Sequence, residues 1–271
     1  MEKWPLHTIP LHIVAAWIIP LAMYVVVCTI FDEPIFKHRA ANLTCLREHT
    51  LHTLSGISIW FWSGMFMMNP PPERSFLQNA LMMGVHFMIS DFAFYWCHRI
   101  SHCKFLYVIH APHHTHKTTP GAKMQMNALS GTCTNFMDMM ITGHLPVFIP
   151  CFVTNMPTSW MVAYVLFINF WVCAGHCVGS RTAYFPSMHN LLVTPAVHAG
   201  HHIKGMNNQN YGILLTLWDR IMGTYYEQRP LTDIHSKAGP CPSTRCSTGP
   251  APTDGTTSRR ASRCATSPRS Q

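Results

Sequence analysis

The stretch DFAFYWCHRISHCKFLYVIHAPHH, residues 91–114, decides the reading of this chain. It leaves an apolar segment, places His98 and His102 four residues apart, and after a seven-residue gap delivers His110, His113 and His114. Residues three and four apart on a helix share one face, so each group can aim two or three imidazoles at one point. Pro112 inside the second group marks a helix start rather than a helix interior. Further along, VHAGHH at 197–202 gives a third group, His198, His201 and His202, and His176 closes another apolar stretch.

Working outward, the surroundings are those of a membrane protein. Of the 271 residues 48% are apolar and 11% charged, against roughly 25% charged in a soluble domain. Such a composition excludes both an ordinary soluble globule and a disordered chain. Five stretches are long and apolar enough to span or deeply enter a bilayer: 11–30, 51–68, 76–97, 135–153 and 159–178. Pro70, Pro71 and Pro72 stop the second. Asn155, Met156 and Pro157 make so short a link between the last two that they must form a helical hairpin. The expected fold is therefore all-α and polytopic, with about four to five transmembrane helices and a cytosolic, helical, histidine-rich cap.

Lysine and arginine orient the set. Three lie between the first and second stretches, four between the third and fourth, and ten after the fifth. These seventeen share one face, while Lys3 and Arg74 are alone on the other, which makes the basic face cytosolic. All the histidine groups fall on that face, although histidine played no part in assigning it. The weak points are the first predicted span, which contains His12, and the fourth, which contains Asp138 and His144. From Lys237 the chain is rich in Ser, Thr, Pro, Gly and Arg, and residues 237–271 read as a disordered basic tail. The net charge of +8 owes much to that tail, so nucleic acid is not an expected partner. The 11 cysteines contain no CxxC pair, which argues against a disulfide framework and a thiolate zinc module.

Eight grouped imidazoles plus His176 exceed the needs of one metal. They suit two metals with four or five nitrogens each, and imidazole alone does not choose among iron, zinc, copper and nickel. A carboxylate-bridged di-iron bundle needs Glu-x-x-His motifs, and no Glu here stands three before a His. His7, His38, His49, His52 and His235 read as surface or packing residues, and His86 and His144 as polar groups within helices. His116 and His189 flank the groups as candidate outer partners.

The sequence resembles the fatty acid hydroxylase/sterol desaturase superfamily. The resemblance rests on HxxxH and HxxHH within 91–114, on VTPAVHAGHH at 193–202, and on NYGILLTLWDRIMGTYY at 210–226. It covers roughly residues 50–228 and leaves 1–49 as an N-terminal membrane segment and loop. It implies an integral membrane enzyme of endoplasmic-reticulum type with two iron ions, zinc being able to occupy the site in purified protein. Carried over, the metal ligands are His98, His102, His110, His113, His114, His176, His198, His201 and His202. Many members have a further histidine soon after the equivalent of His176. GHCVGS offers none here, and His189 is the nearest substitute by position.

Asp91, Tyr95, His189, Asn210 and Asp219 are the expected groups holding imidazole tautomers from outside. No catalytic residue beyond the metal ligands is expected, because oxidising a C–H bond is work for a cofactor rather than an acid–base pair. No Gly-rich dinucleotide fingerprint is present. Electrons are therefore expected from a separate carrier such as cytochrome b5 or a reductase, with NAD(P)H. The substrate would be a bilayer lipid: a sterol by the slight bias of NYGILLTLWDR, with a fatty acid or sphingolipid as the alternative. A metal transporter would place its ligands near the bilayer midplane, and a bis-His haem protein would need facing pairs within the helices.

Overall fold

In the computed structural model, the described residues are 9–35, 43–48, 51, 72–116, 126–177, 188, 190–203 and 209–226, with side chains described from Ile18 onward. Within them the protein is helical, and its nearest approach to a sheet is one isolated antiparallel bridge between Leu192 and Leu215. Three helices are long and apolar enough to cross a membrane: Phe76–Ser101, Phe136–Thr154 and Ser159–His176. The predicted 11–30 span falls inside α1, Ile9–Phe31. The predicted 51–68 span, His189 and the 237–271 tail lie outside the described residues.

Helix α2, Phe76–Ser101, starts at a capping box. The Ser75 hydroxyl accepts from the Gln78 amide at 3.3 Å, and the Gln78 side chain accepts from the Ser75 amide at 2.8 Å. The helix runs one turn beyond the predicted Cys97, which seats His98 inside it and His102 at its C-cap. Its polarity is reversed relative to a soluble helix. Asn79, His86, Ser90, Asp91, Tyr95 and His98 are buried, whereas Phe76, Leu77, Leu81, Val85, Met88 and Phe92 are exposed. The buried polar positions gather on one side of the helix, which leaves large apolar side chains on the exposed side.

Helix α3, Phe136–Thr154, is composite: an α turn, a π segment over Met139–His144, and α turns at Leu145–Phe148 and Cys151–Thr154. Its interruptions have a cause in sequence. Pro146 and Pro150 lack the amide hydrogen that an α ladder needs, and their rings crowd the preceding turn. Asn155 then takes a left-handed conformation (φ 39°), which asparagine tolerates better than most residues. The chain reverses there into α4, Thr158–His176, as the short link predicts.

Two apolar clusters hold these parts together. Met83, Met156, Met161 and Tyr164 join α2 to the α3–α4 turn. Tyr24, Val27, Cys28 and Phe31 form one face of α1 and pack with Leu129, Cys133, Cys173 and Ala174. Short helical turns at Tyr107–His110, His113–Thr115 and Ala128–Thr132 lie between α2 and α3 in sequence, and two short helices follow α4: α5, Pro195–Ile203, and α6, Leu217–Ile221. Pro195 opens α5, where a missing amide hydrogen costs nothing. The last turns of α2 and α4, the first turn of α3 and all of α5 meet at one end of the bundle.

Candidate metal centre

At that end the nine histidines converge. His98, His102, His110, His114 and His201 form one group and His113, His176, His198 and His202 a second, with the donor atoms of each group within 4.8 Å of one another. Each ring is no more than 8% exposed. The Nε2 atoms face inward: His98 to His110 at 3.1 Å, His114 to His102 at 3.1 Å, and His201 to His114 at 3.2 Å. In the second group His198 meets His176 at 2.9 Å and His202 meets His198 at 3.2 Å.

The other ring nitrogens show what these contacts can be. His98 Nδ1–H donates to the Tyr211 carbonyl at 2.8 Å, and His201 Nδ1–H to the Gln209 carbonyl at 2.7 Å. His176 Nδ1–H donates to the Val172 carbonyl at 2.8 Å and His202 Nδ1–H to the His116 carbonyl at 3.2 Å. His110 Nδ1–H donates to both Asp138 oxygens, at 2.9 and 3.0 Å. A carbonyl or carboxylate only accepts, so a neutral ring held this way carries its proton on Nδ1 and a bare lone pair on Nε2. His98 and His110 therefore point two lone pairs at each other across 3.1 Å. That contact is repulsive unless a cation lies between them, so the donor set fits metal ions.

Burial, reinforced by neighbouring imidazoles, pushes His113, His114, His198 and His202 well below the ordinary histidine range, and His201 down to about 3. Neutral imidazole is the form that binds metal. Among the described residues no Glu joins either group, and Asp138 enters only through His110.

The expected outer groups do different jobs. Asp219 accepts from the Tyr211 and Gly212 amides, both at 2.8 Å, and from the Thr224 hydroxyl at 2.7 Å. It thus acts one residue removed, fixing the peptide whose carbonyl holds His98. Asn210 ties its loop to the Tyr226 amide at 2.8 Å and to the Tyr226 carbonyl at 3.0 Å, next to the Gln209 carbonyl that holds His201. Tyr95 receives Arg99 at 2.9 Å and bonds the Thr224 hydroxyl at 3.0 Å. None of these residues bonds an imidazole directly, which corrects the expectation. Asp91 departs furthest: its Oδ1 accepts from the Leu214 and Leu215 amides at 3.1 and 3.3 Å, so it anchors a loop.

The sequence reading missed Asp138, treating it only as an awkward charge in a predicted span. An ionisable residue inside an apolar helix is the signal that marked it. His86, bonded to Thr154 at 2.9 Å, lies three turns down α2 from His98 and takes no part in either group.

A family model described as fatty acid hydroxylase matches residues 83–224, which include all nine histidines. Similar curated proteins include "Probable Delta(7)-sterol 5(6)-desaturase" of Neurospora crassa, 32% identical over 152 residues, covering 55% of this chain and 39% of that one. A Delta(7)-sterol 5(6)-desaturase of Aspergillus fumigatus is 29% identical over 171 residues, 62% of this chain and 44% of that one. Human alkylglycerol monooxygenase is 24% identical over 169 residues, 62% of this chain and 34% of that one. The matched part of the chain thus spans less than half the length of each of these relatives. No solved structure matches.

Proposed function

Because the chain belongs to the fatty acid hydroxylase family, we propose that it is an integral membrane oxidoreductase that uses dioxygen and external electrons to hydroxylate or desaturate a lipid. A sterol or related lipid is the favoured substrate, supported by the likeness to two sterol desaturases. An ether lipid or fatty acid is the second reading, favoured by the family description and the likeness to alkylglycerol monooxygenase. The observation that carries the proposal is the pair of facing lone pairs on His98 and His110, at the heart of nine buried imidazoles.

In this reading five histidines hold one iron and four hold the other, divided as the two groups above. Bound iron supplies the oxidising power that draws hydrogen from a C–H bond. The protein supplies orientation and exclusion of water. The carbonyls of Tyr211, Gln209, Val172 and His116, with the Asp138 carboxylate, hold five rings in the binding tautomer. The exposed apolar side chains of α2–α4 support a site that a lipid would reach from its own solvent. Electrons come from a separate carrier such as cytochrome b5 or a reductase, with NAD(P)H. The histidine end faces the cytosol, where its basic loops suit an acidic docking partner, and the membrane is that of the endoplasmic reticulum.

The test is conversion of labelled sterol and fatty acid by membranes supplied with NADPH and a carrier. His113→Ala and His201→Ala should abolish conversion while the protein still inserts, and His7→Ala and His235→Ala should leave it intact. Full activity in either cluster variant would overturn the oxygenase reading.

A further inference from the structure

A third group of metal-binding side chains lies beside the imidazole centre without belonging to it. Cys45, His116 and Cys133 place one donor atom each within 4.8 Å of one another. Cys45 Sγ is 3.4 Å from His116 Nε2. Exposure is 0%, 1% and 4% respectively, so water hardly reaches the trio. The donors come from three separate places in the chain: the helical turn 43–48, the residue after the His113–Thr115 turn, and the C-cap of the 3-10 turn Ala128–Thr132. Both cysteines are free thiols, set among Tyr24, Phe31, Leu129 and Cys173.

The geometry points to a mononuclear Cys2His site for a zinc-type ion, distinct from the nine-imidazole centre. Charge and softness both favour it. Two thiolates and a neutral imidazole around a divalent ion form a complex with no net charge, the kind an apolar pocket tolerates without a counter-ion. Thiolate donors select zinc or copper(I) over harder ions, whereas the imidazole centre has no sulfur with which to compete. Three protein ligands leave a zinc ion one open position.

The site also touches the proposed active centre, because the His116 carbonyl accepts the His202 Nδ1–H at 3.2 Å. An ion on the His116 ring would fix that residue and, through its carbonyl, the tautomer of His202. His116 is in this sense a positioning residue. The proposal stands or falls separately from the lipid chemistry, since its readout is spectroscopic.

The experiment is cobalt substitution of the full-length protein in detergent, followed by near-ultraviolet absorption. Wild-type protein should show thiolate-to-cobalt charge transfer, which imidazoles alone cannot give. Cys45→Ser and Cys133→Ser should each lose most of the band, and the exposed Cys103→Ser should keep it. Cys133→His, which retains three ligands, should still bind the ion with about half the band, as one of two thiolates remains. Elemental analysis should show zinc falling by one ion per chain in Cys45→Ser, with metal in the imidazole centre retained. No charge-transfer band in wild-type protein, an undiminished band in both serine variants, or a Cys45–Cys133 disulfide in protein purified without thiol would each overturn the site.

Discussion

Replacing Asp138 by Asn removes one charge and almost no volume, yet it should weaken the metal centre. Asp138 is 1% exposed and takes the His110 Nδ1–H on both oxygens, at 2.9 and 3.0 Å. Thr134 and Thr142 donate to the same carboxylate. Against so many donors an ionised carboxylate only accepts, which pins the His110 proton to Nδ1 and frees Nε2. An amide can donate as well. It then accommodates the other tautomer, in which the His110 Nε2 carries hydrogen and cannot bind metal. Charge-assisted hydrogen bonds are about twice as strong as neutral ones. Loss of such a partner behind a ligand costs about 10–100-fold in affinity, equivalent to about 1.4–2.7 kcal/mol. The assay is chelator competition on purified protein, with lipid oxidation measured alongside. His86→Ala is the control, because its partner is Thr154, far from the centre. Metal affinity within twofold of wild type in Asp138→Asn would refute the argument that the carboxylate sets the ligand form of His110.

Three further outcomes follow from the same geometry. A Cβ at Gly131 would sit 2.6 Å from Val172 Cγ1 and 2.9 Å from His176 Nδ1, so Gly131→Ala should displace His176 and deplete the four-histidine group selectively. About one metal per chain lost by elemental analysis, with the other retained, is the expected reading. Asp219→Asn should leave one of two buried amides poorly paired, at about 1–3 kcal/mol, and shorten the half-life of activity on heating without changing lipid preference. The depressed imidazoles predict acid sensitivity. His113, His114, His198, His201 and His202 stay neutral when folded, whereas the unfolded chain gains protons as pH falls through about 6.5. Their contribution is complete above about pH 6.5 and declines below it, by up to about 1.4 kcal/mol per histidine per pH unit. Metal retention should be full at neutral pH and fall steeply on acidification, and a flat profile down to about pH 5 would contradict it.

Much of the site was legible because its ligands are encoded locally. His98 and His102, and then His198 and His202, meet because one helical turn separates them, a rule that needs no tertiary knowledge. The grouping was not legible. His110 and His114 lie with His98 and His201, while His113, between them in sequence, turns to His176 and His202. Spacing alone cannot say that a 3-10 turn at 113–115 sends adjacent rings to different groups. The roles of polar residues were hidden for a similar reason. Asp91 and Asp138 are both carboxylates in apolar helices, but only the fold brings backbone amides to the first and an imidazole to the second. The breaks in α3 were written in Pro146 and Pro150, and the unbroken apolar run of 135–153 obscured them.

Four of the five fixed tautomers depend on backbone carbonyls, at Val172, His116, Gln209 and Tyr211. A carbonyl survives any side-chain substitution, so these supports depend on the path of the chain. Behind residues 209–212, Tyr95, Thr224 and Asp219 form a continuous side-chain hydrogen-bonded set, and Asn210 joins it through its backbone amide, which donates to the Thr224 carbonyl at 2.9 Å. Asn210 adopts φ 56°, a left-handed conformation, at the point where the Gln209 and Tyr211 carbonyls turn toward His201 and His98. A β-branched residue there would be strained and would also lose the bonds to Tyr226. Asn210→Val should therefore disturb His201 and His98 together and weaken the five-histidine group, although Asn210 bonds neither ring. Unchanged metal content in that variant would show that the loop's path is set elsewhere.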